Sequence, residues 1–212
     1  LQQTESGESM AEYAYQFEKR IIDFLRSAEF VTDPTEIQQE KDNGIDFEFE
    51  PKFSADGKFI VYTTWSDEFK GAIKKTEIKS GKTISLTDEK GFYYSPSFST
   101  KGDKVVFRKG SGNETLGLTY GKNTGIFVVS ANGGTKTLVS ESGIKPMFNI
   151  DDTRIFFQGY EAGKKAFKSM DLNGGNERTH YTSQYANQFV PSPDGKWMAF
   201  TELFNAYITP MV

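Results

Sequence analysis

One segment type recurs four times along the chain, and that repeat constrains the fold more than any other feature. The first copy reads Pro51-Lys52-Phe53-Ser54-Ala55-Asp56-Gly57-Lys58 and runs into the apolar stretch Phe59-Ile60-Val61-Tyr62. The second begins at Pro96, 45 positions later, and the third at Pro146, 50 positions further on. The fourth, offset by 43, runs from Phe189 through Pro191-Ser192-Pro193-Asp194-Gly195-Lys196 to Phe200. In each, a short strand ends at a turn of Asp-Gly type and an apolar strand follows, which is a β-hairpin. A second hairpin follows in three of the units, with turns at Ser80-Gly81, Asn132-Gly133-Gly134 and Asn173-Gly174-Gly175. The Asn-Gly pairs predict type I′ turns, whose two central residues both need positive φ.

Four strands per unit of roughly 40 to 50 residues is the spacing of β-propeller blades, each hiding its faces against its neighbours. The expected fold is mainly β, a run of propeller blades over approximately 47–90, 91–141, 142–184 and 185–212. The last is incomplete, stopping after a third strand. Propellers have about four to eight blades, so an arc of a larger ring is expected. Residues 1–46 read differently. Tyr13, Ala14, Phe17, Ile21, Phe24, Leu25 and Ala28 fall at helical spacing, with Glu12, Glu18, Lys19, Arg20, Asp23 and Arg26 mostly opposite. That pattern predicts an amphipathic helix over residues 10–29. A second, shorter helix is expected from Asp33-Pro34. The segment is read as a helical insertion packed at the propeller's edge or face, with a partner-binding helix as the alternative.

Composition removes several function classes. A net charge of −4 offers no basic field for a phosphate backbone, so no nucleic-acid partner is expected. The chain has no cysteine, which excludes a thiolate nucleophile and sulfur-ligated zinc. No apolar run approaches the roughly 18 residues of a membrane helix, so no membrane insertion is expected. The chain opens on Leu1, and its start, with any targeting segment, is expected upstream.

The motifs that carry chemistry are sparse. His180 is the single histidine, and no G-x-S-x-G elbow accompanies it. Asp56, Asp151 and Asp194 occupy one turn position in three repeats, where an aspartate bonds its own backbone. Gly81-Lys82-Thr83 lacks the leading glycine of a phosphate loop, since Thr76 stands there. Gly110-Ser111-Gly112 lacks the third glycine of a dinucleotide fingerprint, and Asn113-Glu114-Thr115 is a sequon that chance often produces. No catalytic residue, metal ligand or cofactor site is expected in this chain. One constellation stands out: the slot before the repeat's proline holds Glu50, Ser95, Lys145 and Gln188, all polar. Near the start of an innermost strand these form a candidate ring facing the central channel, either a ligand or ion site or a hydrated wall. Alternation places Phe47, Phe49 and Phe53 on one face of the first strand against Glu48, Glu50 and Lys52. Trp65 and Trp197 are expected to pack between blades, with a stacking platform as the alternative.

The Pro-x-Phe-Ser-x-Asp-Gly-Lys unit resembles the repeat of TolB-type propellers, a pattern also shared with prolyl oligopeptidase-like propellers. A closer resemblance is to the propeller preceding the metal-dependent hydrolase domain of bacterial amidohydrolase-related proteins. It rests on residues 49–51 through Thr64-Trp65-Ser66-Asp67-Glu68, on 13–21, and on Ser192-Pro193-Asp194-Gly195-Lys196-Trp197 through Tyr207. The resemblance implies a secreted or periplasmic parent whose metal ligands lie outside this chain. The chain would then be a non-catalytic scaffold or access-shaping segment, its partner the remainder of its own polypeptide or another protein. A stand-alone TolB-like interaction module and the gating propeller of a serine peptidase are the alternatives. Lys101 departs from the turn acid in the second repeat, and Phe189 and Pro191 exchange the usual order in the fourth.

Overall fold

The structure is a computed structural model that describes residues 47–65, 70–111 and 123–211; both helices expected in residues 1–46 lie outside that set. The described residues form four antiparallel meanders, each hydrogen-bonded in chain order. Blade one comprises β1 (Phe47–Phe53), β2 (Phe59–Trp65), β3 (Ala72–Glu77) and β4 (Thr83–Ser85). Blade two comprises β5 (Phe92–Phe98), β6 (Lys104–Gly110), β7 (Gly125–Ser130) and β8 (Thr137–Ser140). Blade three holds β9 (Ile144–Phe148), β10 (Arg154–Glu161), β11 (Lys164–Asp171) and β12 (Arg178–Ser183). Blade four holds three strands, β13 (Asn187–Pro191), β14 (Trp197–Glu202) and β15 (Asn205–Pro210). This is the propeller arrangement that the repeat predicts. The first strands β1, β5 and β9 lie side by side from blade to blade.

The repeated turn has a local chemical cause. In blade one the Ser54 hydroxyl donates to Asp56 Oδ1 at 2.7 Å, and the Lys58 amide donates to the same oxygen at 3.1 Å. The Phe59 amide donates back to Ser54 Oγ at 3.0 Å, and Gly57 supplies the left-handed φ of 69°. Ser192 and Asp194 repeat these bonds in blade four. Where Lys101 replaces the acid, Asp103 reaches in from the other side and accepts from Ser99 Oγ at 2.8 Å. In blade three Asn149 takes the serine's place and Asp152 adopts the glycine's conformation at φ 60°.

The second hairpins differ from expectation. Asn132 and Asn173 keep negative φ, and the left-handed residues come after them, Gly133 at 82° and Gly134 at 110° in one connection and Gly174 at 84° and Asn176 at 49° in the other. These are therefore not two-residue type I′ turns; the longer connections 131–136 and 172–177 spread the reversal over residues beyond the asparagine.

Three apolar layers hold the blades together. Val61, Ile73, Phe107 and Val129 belong to the layer of blades one and two, and Val106, Ile155 and Met170 to that of blades two and three. Phe156, Phe167, Phe189 and Phe200 form the layer of blades three and four. Equivalent residues Val61, Val106 and Phe156 each face the following blade and are buried. Their counterpart in blade four, Ala199, is exposed, with Val190 and Ile208 paired or adjacent to it at 58% and 69% exposure.

Candidate functional site

Glu50, Ser95, Lys145 and Gln188 share a backbone feature. Each sits in a β-bulge of its blade's first strand, where two residues oppose one across the ladder. Each is also left-handed, with φ of 55°, 50°, 50° and 52°. A left-handed L-residue costs about 1–2 kcal/mol, so the conformation is imposed by the surrounding ladder. The proline that follows in three blades fits a bulge, because it has no N–H to give the ladder. The bulge also corrects the expected alternation in β1. The extra residue flips strand parity after Phe49, so Phe53 lies opposite Ile60, on the other face from the position of Phe49, and is 67% exposed.

The bulges bring two of the four side chains together. The Ser95 amide donates to Glu50 Oε2, and the Ser95 hydroxyl donates to Glu50 Oε1 at 3.3 Å. One carboxylate thereby ties blade one's bulge to blade two's. Beside it, burial first and the Glu50 charge second push the Tyr94 phenol above its ordinary pKa. Among the described residues, Lys145 and Gln188 make no hydrogen bond to another member of the ring.

The end of the blades where the first strands begin carries a second feature, which the sequence did not signal. Blades three and four turn there with two-residue loops, Ala162-Gly163 and Leu203-Phe204, whose φ values are 47° and 78°, and 46° and 68°. These are the two-residue turns with both central residues left-handed, the geometry expected at the Asn-Gly sites. Alanine followed by glycine suits it; leucine followed by phenylalanine does not, at about 1–2 kcal/mol for each left-handed residue. Phe204 is nonetheless fully exposed and Leu203 mostly so. Ile144, Tyr160 and Tyr185 are exposed at the same end. A cavity of about 320 Å³ lies there between Ile144, Tyr160, Ala166 and Phe189, with Lys165 on its wall bonded to Asn187 Oδ1 at 2.6 Å.

The remaining polar candidates are structural. Asp151 bonds its own turn through the Thr153 amide at 3.1 Å. The buried Asp152 clamps the preceding blade, accepting the Thr100 and Lys101 amides at 2.6 and 3.0 Å. His180 Nε2 lies 2.8 Å from Ser169 Oγ, a nucleophile-and-base pairing in outline. Ser169 is wholly buried, however, and also accepts from Arg154 Nε at 2.9 Å, so no substrate reaches it. Trp65 stacks on Phe92 across the gap between blades one and two, at 4.4 Å and 19°. Trp197 corrects the expectation of packing between blades: it is 44% exposed, because it points to the face of blade four that carries Ala199. Among the described residues no group of three or more His, Cys, Asp or Glu side chains is placed to hold a metal ion.

No family model matches the chain. The Tol-Pal system protein TolB of Francisella tularensis subsp. mediasiatica is 33% identical over 88 residues, which is 42% of this chain and 18% of that protein. The chain thus matches less than a fifth of the length of such curated relatives. The crystal structure of TolB from Acinetobacter baumannii superposes with a TM-score of 0.64 at 19% identity, covering 78% of this chain and 41% of that one. A prolyl endopeptidase structure superposes with a TM-score of 0.55 at 14% identity, covering 78% and 28%. The fold is that of a TolB-like β-propeller.

Proposed function

We propose that this chain is a propeller arc of a larger bacterial amidohydrolase-related protein, where it serves as a scaffold that shapes access to a separate metal-dependent hydrolase domain. In this reading the chain lies in the periplasm or outside the cell, as its resemblance implies. The observation that carries the arc is the outward face of blade four. Val190, Ala199 and Ile208 occupy positions whose counterparts in blade three, Met147, Phe156 and Ser169, lie on the side facing blade four. An exposed apolar sheet face of this kind has the chemistry of a blade surface covered by another blade. Three inter-blade layers, each built from two facing sheets, give the rule that the fourth sheet extends. The amidohydrolase-related parent is supported by the sequence resemblance at residues 192–207 and 49–68.

The coding sequence beyond Val212 tests this reading. An H-x-H after a strand, with further histidine and aspartate ligands, is the expected result. A G-x-S-x-G elbow would make the chain a peptidase's gating propeller, which its likeness to the prolyl endopeptidase structure favours as the second reading. A stop codon would overturn both in favour of a stand-alone interaction module.

A further inference from the structure

We propose that residues 10–29 of this chain dock, by their apolar face, on the end of blades three and four, with Leu203 and Phe204 as anchors. The proposal does not depend on which parent protein the arc belongs to. It starts from the Leu203-Phe204 turn, which holds two bulky residues in a conformation they disfavour and presents both to solvent. The matching turn of blade three does the same backbone work with Ala162-Gly163. The apolar pair therefore serves something other than the reversal itself. Ile144, Tyr160 and Tyr185 are exposed around it, and the cavity between Tyr160 and Phe189 gives an apolar side chain a place to insert.

Three observations favour this occupant. The first is composition: Tyr13, Phe17, Ile21, Phe24 and Leu25 form an apolar stripe at helical spacing, the pattern of a helix that lies in a groove. The second is charge. Residues 1–46 hold eleven acidic and four basic residues, net −7, against net +3 for residues 47–212, and Lys164 and Lys165 stand at the docking end. The third is reach. Residue 47 enters β1 at the blade end that carries Ile144, Tyr160 and Phe204, since Phe47 pairs with Trp65 and Glu202 with Asn205. The residues from 30 to 46 span up to roughly 55 Å when extended, at about 3.3 Å each. A compact body of this size has a radius of gyration near 15 Å, so the whole of that end is within range.

The absence of cysteine makes the test direct. In the full chain, Phe204→Cys and, separately, Lys101→Cys at the opposite blade end are labelled with a maleimide benzophenone and irradiated, and the adducts are mapped by peptide mass spectrometry. Both sites are exposed, so the folded blades tolerate them. The expected result is an intramolecular adduct within residues 10–29 from position 204 and none there from position 101. Adducts between molecules only, adducts to other segments, or equal yields from both positions would overturn the proposal. A second reading uses Phe17→Ser with Phe24→Ser: amide exchange of residues 10–29 should accelerate at least tenfold, while that of β14 and β15 changes less than twofold. Unchanged exchange in residues 10–29 would also overturn it.

Discussion

Blades three and four follow one chain path, with the same bulge, the same first turn and the same two-residue second turn, yet they meet different surroundings. Blade three lies between two apolar layers, so both of its faces are buried. Blade four has one such layer, and its other face shows Trp197, Val190 and Ile208 to solvent. At the turn of blade three Asp152 clamps the preceding blade, while the equivalent Gly195 of blade four makes only its own turn bond to Ser192. At the opposite end, Ala-Gly in one blade faces Leu-Phe in the other on the same backbone. The pairing teaches that the repeat encodes the hairpin ladder, whereas the residues that depart from it mark where a blade touches something beyond itself.

The strongest way to break this comparison is through the faces. Phe156→Ala should destabilise by about 3–5 kcal/mol, because a ring buried between blades leaves a cavity. Ile208→Ala, on the outward face of blade four, should change stability by less than about 0.5 kcal/mol. Urea denaturation of the two variants checks the pair, and equal losses would mean that the outward face is covered in solution. Next, Asp152→Gly gives blade three the turn of blade four. It should cost about 1–3 kcal/mol, since two amides lose a carboxylate partner even as a left-handed aspartate is relieved.

Smaller effects come from the turns. Replacing Leu203-Phe204 with Asn-Gly should stabilise the β14–β15 hairpin by about 1–2 kcal/mol, read as slower amide exchange along those strands. Ala162→Asn in blade three should shift its hairpin by only a few tenths of a kcal/mol, as its turn already suits the geometry. The conserved geometry of the first turns gives the smallest signal, and it depends on pH. The Ser54 hydroxyl and the Lys58 amide hold the Asp56 carboxyl down at about 2. Asp151 and Asp194 are likewise lowered, chiefly by hydrogen bonds from Thr153 and from Ser192. Depressed carboxylates contribute stability that is full above their ordinary value near 3.8 and is lost as pH falls through the folded values. The urea midpoint should therefore fall between pH 4 and pH 2, less steeply in Asp56→Asn and Asp194→Asn.

Much of this was legible in the order of residues. The spacing of Phe-Ser-x-Asp-Gly-Lys predicts hairpins, and even the exception at Lys101 keeps its turn because Asp103 restores the carboxylate. The polarity of Glu50, Ser95, Lys145 and Gln188 was also visible, but the bulge they share was not read from it. A proline inside a strand was the available signal, since a strand residue without an N–H belongs at a bulge. The left-handed φ, the flipped parity that exposes Phe53, and the bond from Ser95 to Glu50 all follow from register, which a single strand's sequence does not contain. The Asn-Gly expectation failed for a related reason. Turn type depends on how many residues separate two paired positions, and the six-residue connections 131–136 and 172–177 place their left-handed residues after the asparagine, at Gly133 and Gly134 and at Gly174 and Asn176.

By itself, then, the sequence determined the local units: strands, first turns and the four-fold recurrence, because periodicity and turn chemistry act over a few residues. Only the tertiary structure decided which faces are buried, that Asp152 serves its neighbour's turn, that Ser169 and His180 meet in a closed place, and that Leu203 and Phe204 stand exposed on a strained turn. Those outcomes depend on which blade lies against which, and contacts between residues about 50 positions apart are set by packing rather than by neighbouring side chains.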